Sequence, residues 1–134
     1  MKKHMYKANI GMLLIFITAG LFAISSQKRS LTGKWSILNP DGTASGEYVE
    51  FKKDNTYSVV LSTGMVGENG VFALKDEAIS IRNIKDVCGK DYWGQYKLTF
   101  HGNDSVHFDL INDSCSARRM DIVGFNPGLK RQGT

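Results

Sequence analysis

Helical periodicity is almost missing from this chain. Beyond residue 26, no ten-residue stretch carries apolar positions at 3.6 spacing, which turns the reading to strands. A catalytic constellation is missing too. No serine or cysteine sits in a nucleophile elbow. The carboxylates Glu47, Glu50, Asp104 and Asp109 fall at outward positions or turns, so nothing draws two of them into a shared apolar site for acid–base work. Gly64 to Gly70 is glycine-rich, yet it joins two strands instead of opening a helix, which excludes a phosphate loop. The expectation is a protein that is not an enzyme and needs no cofactor.

A surplus of charge is also absent once the first residues are set aside. The chain has 17 basic and 13 acidic side chains. Lys2, Lys3 and Lys7 account for three of the basic ones, leaving about +1 over the remainder. Nucleic-acid binding needs a clustered basic face, and this balance gives no reason to expect one.

Long apolar runs are missing with one exception. Met1 to Lys7 is basic, Ile10 to Ile24 is apolar except for Thr18, and Ser25, Ser26 and Gln27 follow. That is the plan of a secretory signal, with Ala23 and Ser25 placed for a cut after Ser25. The competing reading is an uncleaved anchor, in which residues 10–24 alone would touch a membrane. A spanning helix needs about 20 apolar residues, and this run is shorter. No cysteine lies near the cut, so a bacterial lipid anchor is unavailable. The expected division is residues 1–26 as signal segment or membrane anchor and residues 27–134 as one domain. The expected location is outside the cytoplasm, periplasmic or extracellular, with attachment to the inner membrane as the alternative. In such a compartment Cys88 and Cys115 form an even pair and read as a disulfide. Two buried free thiols are the alternative. Closing that loop would stabilise by roughly 3–4 kcal/mol in the chain-entropy model.

What is present is short alternation, repeated between turn clusters. Strands are expected at 34–38, 47–52, 56–62, 69–74, 78–84, 94–101, 106–111 and 118–123. Inward faces would hold Trp35 and Ile37, then Val49 and Phe51, then Tyr57, Val59 and Leu61, then Gly70, Phe72 and Leu74. Ile79 and Ile81 come next, followed by Tyr96, Leu98 and Phe100, and by Val106, Phe108 and Leu110. Arg118, Met120 and Ile122 complete the set. Residues from Gly124 onward, with Asn126-Pro127-Gly128, read as loop and frayed end. Short connections favour antiparallel neighbours and a meander, and closing eight one-sided strands removes both edges. The expected fold is therefore all-β, an eight-stranded antiparallel up-and-down barrel. A two-sheet sandwich has similar strand spacing and stands as the alternative.

Gly33-Lys34-Trp35 is a G-x-W at the first strand, and Arg118 points to the same interior face from the last. With Phe51-Lys52-Lys53-Asp54-Asn55-Thr56-Tyr57, Gly70-Val71-Phe72-Ala73-Leu74 and the D-x-C-x-x-R of Asp113 to Arg118, the chain resembles small bacterial lipocalin-like, calycin-type domains over Leu31 to Val123. The resemblance implies that Trp35 plugs the closed end under the last-strand arginine, expected here to be Arg118, and that the barrel binds rather than catalyses. A guanidinium stacked on an indole face gives that plug its physical sense. The chain leaves no room for the C-terminal helix of long lipocalins.

The expected ligand is a small apolar or aromatic molecule held among Phe51, Tyr57, Val59, Phe72, Tyr96, Leu98 and Phe108. Trp35, Arg118, Cys88 and Cys115 are expected to be structural. The second reading is a filled barrel whose loops bind or inhibit an envelope protein. The loop Asp91-Tyr92-Trp93, beside Cys88, either rims the mouth, contacts a partner, or covers the core end. His101 and His107 are expected directly across one hairpin, a weak metal pair with no third ligand, so no metal is assigned. Oligomeric state is left open.

Overall fold

The computed structural model describes residues 29–85, 88–89, 91–123 and 128–133. The expected signal segment lies outside them. The strands are β1 (Gly33–Leu38), β2 (Ala44–Phe51), β3 (Thr56–Val60), β4 (Val66–Lys75), β5 (Ala78–Asn83), β6 (Gly94–His101) and β7 (Ser105–Asn112). A helix, α1 (Ser116–Val123), and a three-residue strand, β8 (Leu129–Arg131), complete the order. The eight strands form one closed antiparallel barrel in chain order.

Local chemistry explains the turns. Between β1 and β2, Thr43 donates its amide and hydroxyl to Asp41 at 2.9 and 2.6 Å, and Gly42 takes a positive φ of 84°. Between β2 and β3, Thr56 makes the same pair of bonds to Asp54, at 3.0 and 2.6 Å. Asn55 there tolerates φ 63°.

The eighth strand is not where alternation places it. Arg118, Met120 and Ile122 fit a strand, but Arg118 and Ile122 also stand four apart, as neighbours on one helix face. The chain takes the helix. Arg118 and Ile122 are buried while Met120 is 68% exposed, which a strand with all three facing inward would forbid. Cys115 starts α1: its carbonyl accepts the first helical bond from Arg119 at 2.9 Å, and its Sγ accepts the Arg118 amide at 3.4 Å. The true eighth strand is the segment expected to fray. It pairs Trp35 with Arg131 and Ile37 with Leu129 on one side, and Val106 with Leu129 on the other. Three residues thus remove the free edges of β1 and β7.

The core is built from inward residues of all eight strands and of α1. Trp35, Val49, Ile79, Tyr96, Val106 and Leu129 are all at most 1% exposed. Phe51 sits at its centre, edge-on to Phe72 at 5.2 Å between ring centroids and near Tyr57 and Phe108 at 6.1 and 6.4 Å. Leu74 and Leu110, expected inside, lie near strand ends and are 47% and 48% exposed. Cys88 and Cys115 are joined in a disulfide, so the thiol alternative falls.

One end of the barrel is closed by Trp35. Its indole Nε1 donates to the Leu31 carbonyl at 2.7 Å, and Phe100 packs at 6.4 Å. The cation stacked on the ring is Arg131, with its guanidinium carbon 4.1 Å from the ring centroid. Arg131 also donates to the carbonyls of Thr32 and Asn103, at 3.0 and 3.1 Å. The expected plug is present in kind, but its arginine comes from β8 and not from position 118. Arg118 belongs to the helix.

Candidate functional site

The barrel is hollow toward its other end. A cup of about 500 Å³ opens there, walled on one side by α1. Its apolar floor and walls come from alternate residues of the strands, among them Val49, Phe51, Tyr57, Val59, Ile81 and Phe108. Leu61, just past β3, carries the apolar wall further, and Ile122 of α1 faces it across the opening. The polar lining consists of Glu47, Glu68, Arg118 and Asp121.

Arg118 is fixed before any ligand arrives. Its Nε and one terminal nitrogen grip Asp113 at 2.8 and 2.7 Å, in the two-pronged geometry that suits a guanidinium and a carboxylate. The pair is buried, with side chains 3% and 0% exposed. Asp113 also accepts the Tyr96 hydroxyl and, at 2.8 Å, the Cys115 amide. Burial alone would raise the Asp113 pKa, but the hydrogen bonds from Arg118, Tyr96 and Cys115 outweigh it and hold the carboxyl below the usual range. Burial likewise works against the Arg118 charge, and Asp113 more than offsets it. Tyr96 is pushed above an ordinary phenol by burial and by its bond to Asp113. Gly94 makes the cluster fit, since a Cβ there would overlap Asp113 and crowd Arg118.

A second polar chain runs along the wall. The Tyr57 hydroxyl donates to Asn83 Oδ1 at 2.9 Å, and Asn83 Nδ2 donates to Glu68 Oε1. Burial, then the negative charge of Asp121, raises the Glu68 carboxyl, while the Arg118 charge works the other way. Burial, then Glu68, pushes the Tyr57 phenol up, so it stays a donor. Gly70 lies beneath the Tyr57 ring, where a Cβ would strike the ring and the Arg82 carbonyl.

Four of the seven expected ligand contacts, Phe51, Tyr57, Val59 and Phe108, line this cup. Phe72, Tyr96 and Leu98 do not; they are buried and fill the barrel. Glu47, expected to face outward, lines the cup. Glu68 was missed because β4 starts at Val66, earlier than the glycines suggest. The usable signal was the phase itself, because Glu68, Gly70 and Phe72 alternate together. Asp121, outward in the expected strand, lines the cup because its segment is helical.

Other expected features lie elsewhere. Tyr92 and Trp93 are 55% and 41% exposed and do not line the cup, and Arg82 stacks on Trp93 at 5.0 Å. His101 pairs with Ser105, and His107 with Thr99, so the two imidazoles are not opposite. His107 lies 3.4 Å from Asp109 instead. Among the described residues no group of three or more His, Cys, Asp or Glu side chains could hold a metal ion. Among them, too, no helix is long and apolar enough to cross a membrane.

No protein-family model matches this chain, and no characterised protein or solved structure matches it. The reading of function therefore rests on the geometry of the cup.

Proposed function

We propose that this protein is an exported, non-catalytic, lipocalin-like barrel that binds one small apolar or aromatic molecule in the cup beneath α1. The observation that carries this is the hollow of about 500 Å³ with a floor of Val49, Phe51, Tyr57 and Phe108. Small-molecule sites of this kind run from about 300 to 1,000 Å³, apolar with a few placed polar groups. Tyr57 and Glu68, held by Asn83, are such groups. The Cys88–Cys115 disulfide suits an oxidising compartment and supports export, as does the basic-then-apolar opening of the chain.

Titration of the protein with 1-decanol, followed by calorimetry, tests the reading. Saturable one-to-one binding is expected. A Leu61→Trp variant, which places an indole in the cup, should bind at least about tenfold more weakly. Equal affinity for both proteins, or no binding by either, would refute the cup as a ligand site.

A second reading is favoured by one surface. Ile84, Tyr92 and Trp93 are 57%, 55% and 41% exposed on either side of the disulfide-tethered Cys88. An interaction module of the cell envelope would use that face.

A further inference from the structure

We propose that the occupant of the cup is an amphipathic cation: an apolar or aromatic body carrying a protonated amine, with the ammonium at the mouth beside Glu68 and Asp121. This rests on the binding reading above and adds the charge of the ligand.

The geometry separates a neutral interior from a negative rim. Among the described residues, the charged groups lining the cup are Glu47 from β2, Glu68 from β4, and Arg118 and Asp121 from α1. Arg118 looks at first like an anchor for an anion. Its charge is already matched: Asp113, wholly buried, takes two of its nitrogens at 2.7 and 2.8 Å. A ligand carboxylate would have to compete with a fixed, buried partner and would meet three carboxylates at the rim. With the Arg118–Asp113 pair neutral as a unit, the lining carries the negative charge of Glu47, Glu68 and Asp121.

Glu68 is built to receive a donor. It stands half-way into the wall, next to the apolar surface of Val59 and Leu61, which line the same cup. Asn83 occupies only Oε1, and no side chain of the described residues donates to Oε2. The free oxygen is thus an acceptor at the boundary between apolar floor and open water. Burial and the Asp121 charge make the ionised form of Glu68 costly, and the Arg118 charge offsets them only in part. A cation beside it relieves both, so this site gains from a positive ligand what it would lose with a negative one.

Three probes of one chain length separate the questions: decylammonium, 1-decanol and decanoate, titrated into the full chain at pH 7 by calorimetry. The amine is protonated there, since alkylamines titrate near 10. Decylammonium is expected to bind about tenfold more tightly than decanoate, with decanol between them, a difference of the size that partly exposed charge pairs support. In the double variant Glu68→Gln/Asp121→Asn the ratio of decylammonium to decanol affinity should fall to about one. The amide oxygen introduced by Glu68→Gln can still accept from Asn83, so the wall keeps its hydrogen bond. If decanol binds as well as decylammonium, or decanoate binds best, the charge inference is wrong while the cup stands. If none of the three binds, the cup reading itself fails and the inference falls with it.

Discussion

The two ends of this barrel hold the same kinds of groups and use them differently. At the closed end an arginine lies on an aromatic ring, with Arg131 over Trp35 at 4.1 Å, and its nitrogens are taken up by backbone carbonyls. At the open end Arg118 lies beside Tyr96, and a buried carboxylate takes up two of its nitrogens. Arg131 thus has all three nitrogens taken by carbonyls, whereas Arg118 gives two of its nitrogens to Asp113. The difference is what remains. Around Trp35 the described polar contacts close on one another, and the space is filled. Around the cup, no described side chain donates to the second oxygen of Glu68, and about 500 Å³ stays open. A polar group points to a ligand when it is held in place yet incompletely used and faces an open space, and among the described residues Glu68 at the open end is such a group.

Replacing the buried anchors at either end should cost the fold most. Trp35→Ala removes a fully buried indole, and a loss of about 3–5 kcal/mol is expected. Thermal melting should show a fall of roughly 15 °C or more for a domain of this size. An unchanged midpoint would mean that the ring is not the plug. Asp113→Ala should be comparable, about 3–5 kcal/mol, because it strands the buried Arg118 without its partner. A variant that melts like the parent would show that Arg118 finds another anchor. Opening the disulfide with Cys88→Ser and Cys115→Ser should cost about 3.5 kcal/mol, from a separation of 27 residues. Urea unfolding with and without reductant measures it. Arg131→Lys should cost least, about 1–2 kcal/mol, since an ammonium keeps the charge but loses the flat stacking surface.

pH separates the two carboxyls by sign. Asp113 has its pKa lowered from 3.8, so its contribution to stability is complete above that value and fades as pH falls through the lower folded value. Glu68 has its pKa raised from 4.5, so its ionisation costs stability as pH climbs past that value. Glu68→Gln should therefore gain on the parent in melting midpoint as pH rises from about 4.5. A constant difference between the two proteins across that range would remove Glu68 from the balance.

Much of the scaffold was legible in the sequence because a strand with one buried face alternates every second residue. Seven strands appear close to their expected places, and β6 matches end to end. The eighth failed for a physical reason. Arg118 and Ile122 satisfy alternation and helical spacing alike over so short a span, and only the tertiary structure settles that Met120 between them is exposed. β8 is three residues long, too short for any period, and it follows Asn126-Pro127-Gly128, which reads as a turn. The glycine at 128 is used differently: a Cβ there would press on the Val106 carbonyl, so its absence lets β8 approach β7. The arginine of the plug was misplaced for the same reason, since the strand that carries it was unseen. In the cup, the aromatic half was legible because it shares the core's phase. The polar half depended on where β4 begins and on α1, and neither follows from composition.

The most direct test is the native mass of the protein purified from the cells that make it, measured before and after mild organic extraction. The account predicts a reproducible added mass that extraction removes and that Leu61→Trp lacks. A bare chain in every preparation, differing from the reduced form only by the two hydrogens of the disulfide, would contradict a ligand-binding cup.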